Sequence, residues 1–141
     1  MLKISTKGRY GLRVMVQLAE HFGEGPVLLT EISATENISH KYAEHLIRLL
    51  KKTKLLKAYR GASGGYELNT DPKKIKILTI LEALEGQLSL VKCIHSPEYC
   101  NKVEFCPTRF VWQKLEKSIR DTLLNITLAD LVKDNSLLGK N

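Results

Sequence analysis

The sequence predicts a mainly α fold: a winged helix-turn-helix with a small β-hairpin wing and a long C-terminal dimerisation helix. Three observations predict it. Two short helical segments meet at the turn Glu36-Asn37-Ile38, and the second is basic and amphipathic. Shortly after it, Arg60-Gly61-Ala62-Ser63-Gly64-Gly65-Tyr66 links two β-prone stretches. Beyond Pro107, apolar residues recur every three or four positions, the period of one helix face.

The elements follow in order. A first helix is expected from about Lys7 to Phe22, with Leu12, Met15, Val16, Ala19 and Phe22 on one face and Tyr10, Val14 and Leu18 on a second stripe. Gly23 and Gly25-Pro26 stop it. Val27-Leu28-Leu29 reads as extended, and Thr30 as the N-cap of a small helix over 31–35. Asn37 suits a left-handed turn, and Ser39 caps the next helix, about His40 to Lys52. Tyr42, Leu46, Leu49 and Leu50 form its apolar face. Residues 55–59 and 65–68 are the strands of the hairpin. Asp71-Pro72 starts a further helical stretch whose apolar residues, Ile75 to Leu84, run up to Gly86. Pro107-Thr108 opens the long helix to about Asn125, with Val111, Trp112, Leu115, Ile119, Thr122, Leu123 and Ile126 as a seam for another helix. Thr127 caps a last short helix. The expected division is 1–86 for the winged helix-turn-helix, 87–106 for a cysteine-bearing loop, and 107–141 for the dimerisation helix and the short helix after it.

Composition narrows the function classes. The chain has 141 residues, 43% of them hydrophobic, enough for one compact domain with a core and a helical extension. Lys and Arg total 22 against 15 Asp and Glu, a net charge of +7 that favours polyanions through steering and counterion release. Lys3, Lys7, Arg9 and Arg13 interrupt the first residues, so no apolar signal core forms, and no apolar run is long enough to span a membrane. The expectation is a cytoplasmic protein. There is no nucleophile elbow, phosphate loop or Cys-x-x-Cys pair, which argues against a small cysteine redox enzyme.

On the second short helix, Lys41, His45, Arg48 and Lys52 oppose the apolar face, with Glu44 beside them. A major groove admits one helix and presents base edges to its outer side. Double-stranded DNA is therefore the expected partner. Ser39, Lys41, Glu44 and His45 are candidates to read or position bases, and Arg48 to hold phosphate. Arg60 would serve the wing, at phosphates or in an adjacent minor groove. Gly61, Gly64 and Gly65 would let the wing backbone approach the duplex.

The three cysteines, Cys93, Cys100 and Cys106, lie close together in one polar stretch. A secreted disulfide scaffold favours even numbers spread along the chain. No pair has the tight spacing of a structural zinc site. Iron–sulfur ligation, which tolerates looser loops, stays open beside thiol redox sensing and zinc. His95, Glu98 and Glu104 are further donors nearby, and His95 or Glu104 is the candidate fourth ligand.

Together these residues resemble the Rrf2 family of bacterial regulators over nearly the whole chain. Ser5-Thr6-Lys7-Gly8-Arg9-Tyr10 is similar to its opening, and Ile38-Ser39 with Tyr42-Ala43-Glu44 to its recognition helix. Arg60-Gly61 and Gly64-Gly65-Tyr66 match its wing, and Asn125-Ile126-Thr127-Leu128-Ala129-Asp130-Leu131 resembles the end of its dimerisation helix. The resemblance implies a homodimeric DNA-binding transcriptional regulator, repressor or activator, for iron–sulfur biogenesis or stress genes. The cysteines place it nearer the iron–sulfur (IscR-like) members than the cluster-free ones. That implies an iron–sulfur cluster on Cys93, Cys100 and Cys106, 2Fe–2S before 4Fe–4S. Arg109 stands where such members carry a histidine ligand, and Arg9 where others draw an aspartate from the partner. The alternative within the same fold is a cluster-free regulator sensing by thiol oxidation or a protein partner.

Overall fold

The computed structural model describes residues 2–137; Met1 and positions 138–141 of the expected segments lie outside the described residues. Helix α1 spans Thr6–Glu20, α2 Leu29–Glu36 and α3 His40–Lys51. Strands β1 (Leu56–Tyr59) and β2 (Gly65–Leu68) pair antiparallel, Tyr59 opposite Gly65 and Leu56 opposite Leu68. Then come α4 (Ile77–Glu85), the single turn α5 (Lys92–His95), α6 (Pro107–Asn125) and α7 (Leu128–Leu137).

Local chemistry explains the boundaries. Ser5 caps α1 by accepting from the Gly8 amide, and Ser39 caps α3 by accepting from Tyr42 at 3.0 Å. Asn37 turns the chain in the left-handed region, φ 53°, between α2 and α3. Asp71 accepts from the Lys73 amide and starts the turn Pro72–Lys74. Gly86, at φ 92°, ends α4. Thr127 and Asp130 exchange side-chain and backbone bonds at the start of α7, a reciprocal cap. The bond from the Thr127 amide, with the Thr127 side chain beside it, holds the Asp130 carboxyl below its usual range.

Two boundaries differ from expectation. α2 begins at Leu29, not after Thr30: Leu28 is the extended N-cap residue and donates its amide to Glu31, so Thr30 lies inside the first turn. α1 ends at Glu20, which leaves Phe22 in the following turn, exposed. The face of α1 that reaches the core is Val14, Met15, Leu18 and Ala19.

The core lies between α1, α2, α3, α4 and the hairpin, with Ile32, Leu46, Ile47, Leu50 and Ile80 fully or almost fully buried. α1 and α4 meet closely because α1 carries glycines there. A Cβ at Gly8 would collide with the Glu85 carboxylate, and one at Gly11 with the Leu84 side chain. Glu85 in turn accepts from the amide (2.9 Å) and hydroxyl (2.5 Å) of Ser5, which closes the N-terminus of α1 onto α4. At the other side of α1, Arg13 Nε lies 2.7 Å from the buried Glu36 Oε2, an ion pair without hydrogen-bond alignment.

After the long helix the chain returns to this core. Lys76 and Thr127 form an antiparallel bridge, and Leu128 is fully buried in the core cluster. Leu128→Ala is therefore expected to cost about 2–5 kcal/mol, as a fully buried leucine truncation does. Thermal unfolding followed by circular dichroism would check it; a melting temperature equal to wild type would contradict the packing.

Candidate DNA-binding surface and cysteine loop

The recognition helix α3 is fixed by its inner face. Ala43, Leu46, Ile47 and Leu50 are buried, and Tyr42 and Leu49 are half-buried at its margin. Ala43 and Ile47 escaped the sequence pattern, which followed the larger residues. Lys41, Glu44 and Arg48 are exposed on the outer side. Arg48 Nη2 stands 3.9 Å from Glu44 Oε1, one helical turn away, a loose and solvent-screened pair. His45 is half-buried and stacks on Tyr42 with ring centroids 6.3 Å apart, while Tyr42 meets Tyr10 of α1 edge-on. The Tyr10–Tyr42–His45 ladder ties the start of α3 to α1 and sets the imidazole's position.

The wing is built on close backbone contacts. Gly65 has φ 141° and lies against Val27, where a Cβ would strike the backbone. Val27 and Tyr66 exchange amide hydrogen bonds of 2.8 and 2.9 Å, so residue 27 extends the hairpin by one bridge. Gly64 is buried, and a Cβ there would strike the Tyr59 carbonyl. These two glycines serve inward packing, whereas Gly61, at φ 96°, is exposed on the loop beside exposed Arg60. Tyr59 escaped sequence reasoning. Its hydroxyl donates to Glu67 Oε1 at 2.5 Å across the hairpin, and that bond raises the phenol's pKa. The bond braces the wing directly behind Arg60.

The cysteine stretch is a chain of single turns draped on α6. Cys93 lies in α5, Cys100 between the turns Pro97–Tyr99 and Val103–Phe105, and Cys106 at the N-cap of α6. All three are free thiols and half-buried. Cys106 Sγ lies 3.2 Å from the Thr108 hydroxyl, and that bond, with the Arg109 amide, lowers the thiol's pKa. Arg109 Nε donates to the Cys93 carbonyl at 3.3 Å.

The two candidate fourth ligands are placed differently. His95 Nε2 is 2.5 Å from Glu116 Oε1, so the imidazole is turned to α6. Glu104 is exposed, as is Glu98. Among the described residues no three His, Cys, Asp or Glu side chains converge as a set for a metal ion. The donor chemistry nonetheless fits an iron–sulfur cluster: three unpaired thiols share one loop, and one of them is biased to the thiolate at a helix N-terminus.

The apolar seam of α6 divides. Ile119, Leu123 and Ile126 turn inward, the latter two onto the core, and Glu116 is buried between the helix and the loop. Val111 and Leu115 face outward, exposed at 51% and 36%. Phe105 and Phe110 are also exposed, at 86% and 61%, where the loop meets the helix. No helix among the described residues is long and apolar enough to cross a membrane.

Comparison with known proteins agrees with this architecture. Residues 4–134 match the family model Rrf2, described as an iron-dependent transcriptional regulator. The chain is 37% identical to the HTH-type transcriptional regulator IscR of Vibrio campbellii over 137 residues, which is 97% of this chain and 81% of that protein. It superposes on the structure of CymR, the global cysteine regulator of B. subtilis, with TM-score 0.78 and 39% identity, covering 94% of this chain and 98% of that one. It superposes on T. potens IscR with TM-score 0.76 and 45% identity, covering 94% and 88%. These relatives are regulators, not enzymes. With its helix-turn-helix, its braced wing and this match along almost its full length, the chain belongs to the Rrf2 family of winged-helix, DNA-binding transcriptional regulators.

Proposed function

We propose that this regulator acts as a cytoplasmic homodimer that reads duplex DNA with α3 and the wing and senses through an iron–sulfur cluster on Cys93, Cys100 and Cys106. The DNA reading is carried by one observation. The inner face of α3 is buried along its length, so Lys41 and Arg48 are held outward on a rigid helix, and the wing that follows presents Arg60. Ser39, Glu44 and His45 complete the base-facing end, and Gly61 keeps the wing tip slim. The outward Val111 and Leu115 support a second copy as the cover of α6.

For the cluster, Cys106 supplies a thiolate favoured by its cap position, and Cys93 is held to α6 through its carbonyl. With His95 turned to Glu116, the exposed Glu104 is the loop's better candidate for a fourth ligand. When bound, a 2Fe–2S cluster, or a 4Fe–4S cluster in its place, would supply a thiolate-held centre whose redox state and integrity respond to the cell. A ligand shifts a regulator only by binding its two conformations differently. Cluster and apo loop therefore differ in the order they impose on residues 93–106.

A second reading has its own support. The lowered pKa of Cys106 also suits a cluster-free sensor that responds by thiol oxidation, and similarity to CymR as well as IscR keeps both within the family.

Arg60→Ala is expected to weaken operator binding and to reduce the slope of log affinity against log salt by about one. Fluorescence anisotropy over a salt series would check it; an unchanged slope and affinity would remove the wing from the DNA. Anaerobically purified protein should carry iron and sulfide with visible absorption, and substituting Cys93, Cys100 or Cys106 with alanine should abolish the colour. Colourless wild type without iron or sulfide would leave the thiol reading. In the metal-free protein the thiolate fraction of Cys106 at neutral pH exceeds that of an ordinary thiol, because its pKa is depressed. Alkylation of Cys106 by iodoacetamide should thus reach its plateau at lower pH than alkylation of free N-acetylcysteine. A Cys106 profile by mass spectrometry that superimposes on that of the free thiol would contradict this.

A further inference from the structure

Glu116 has no obvious reason to be where it is. It lies in the middle of α6, between Leu115 and Lys117, and its side chain is only 7% exposed. A carboxylate at such a site must have its oxygens met by donors. Both are met by the cysteine segment. Oε2 accepts from the Leu90 amide at 3.1 Å, and Oε1 from His95 Nε2 at 2.5 Å. Leu90 precedes Cys93 by three residues and His95 follows it by two, so the two bonds straddle the cysteine. Between them, the Cys93 carbonyl accepts from Arg109, nearly two turns earlier on the same helix. Cys106, at the N-cap, belongs to α6 by position. Among the described residues no hydrogen bond joins Cys100 to α6: its backbone amide reaches the Pro97 carbonyl at 3.4 Å within its own turn, and neighbouring Tyr99 accepts from Lys92 of α5 at 3.1 Å.

We infer that Glu116 is a positioning residue, with His95 as its partner. Together they lock Cys93 in register with Cys106 on α6 and leave Cys100 as the thiol that moves when the loop closes. The inference rests on the reading of residues 93–106 as the sensing loop, and it assigns His95 to the support of a ligand rather than to ligation. The donor is the Nε2–H of the imidazole; a glutamine at 95 retains an N–H donor on a side chain of similar reach.

The test uses the reduced, metal-free full-length protein. Alkylation rates of the three cysteines are measured separately by mass spectrometry for wild type, Glu116→Ala, His95→Ala and His95→Gln. The alanine variants are expected to raise the Cys93 rate about tenfold, the effect of losing one hydrogen bond to a charged group. Cys106 should stay within about twofold in the same proteins, since its cap bonds are untouched. His95→Gln should return Cys93 toward the wild-type rate. His95→Ala removes a partly exposed side chain and guards against a Glu116 variant that fails to fold. A Cys93 rate unchanged in both alanine variants would overturn the inference. So would an equal rise at all three cysteines, or no rescue by glutamine. Iron and sulfide content of anaerobically purified wild type is measured alongside. Its absence would defeat the cluster reading, while the Cys93 rates would still decide the latch.

Discussion

Leu128 donates its amide to the Ile75 carbonyl at 2.9 Å, and Ile77 donates to the Ile126 carbonyl at 3.1 Å. These two bonds flank the Lys76–Thr127 bridge and close a long excursion of the chain at its base. After α4, which is itself part of the core, the cysteine loop and α6 lead away from the winged-helix core and back to it. Leu128 then sinks into the core that α1 and α3 share. The consequence is mechanical. The loop and the long helix are not an appendage hung from one covalent link. Both ends are fixed to the domain that carries the recognition helix, and the hydrogen bonds at the base are shielded by packed side chains.

Inside that closed excursion, carboxylates do the work that regular secondary structure does elsewhere. Residues 86–91 are neither helix nor strand, yet they run against α4 and α6 with amides to satisfy. Glu82 accepts from Leu88 and is met by Arg120 of α6; Glu116 accepts from Leu90. Glu85, on the same helix as Glu82, takes the Ser5 amide and hydroxyl at the start of α1. Three glutamates on two helices thus hold two irregular stretches, residues 86–91 and the entry to α1, in place. An apolar side chain at any of these positions would leave a backbone donor without a protein acceptor. This explains why α4 and α6 carry acidic residues in a chain whose net charge is +7.

What could be read from the sequence was local. The cap at Ser39, the left-handed Asn37, the stop at Gly86 and the limits of α6 at Pro107 and Asn125 each depend on residues within a turn of one another. The hairpin strands likewise came within a residue of their observed ends. The misses share a cause. Phe22 continued the periodicity of α1 but lies past a helix end set by the chain's turn toward Gly23. The seam of α6 was one pattern in sequence and two faces in space, because periodicity does not say which neighbour covers a stripe. His95 looked like a donor in search of a metal, since its partner Glu116 is 21 residues away. Glu116 itself read as a gap between Leu115 and Ile119. Only a tertiary neighbour gives it meaning.

The same helix therefore serves the loop, the core and an outward face. α6 has 19 residues, about 28 Å of rise, and is rigid on that scale. Its N-terminus holds Cys106 and contacts Cys93 through Arg109; its C-terminus is pinned by the bridge to Lys76. A change in the order of the loop acts on the far end of a rod whose base sits beside α4, and α4 packs on both α1 and α3. The rod cannot tilt without disturbing that base. If the cysteines sense as proposed, their coupling to the recognition helix needs no continuous wire of contacts under this arrangement. It needs two seatings of α6 that differ in free energy with the state of the loop. Packed interfaces supply such discrete alternatives, because a well-filled surface resists continuous sliding and gives way by repacking.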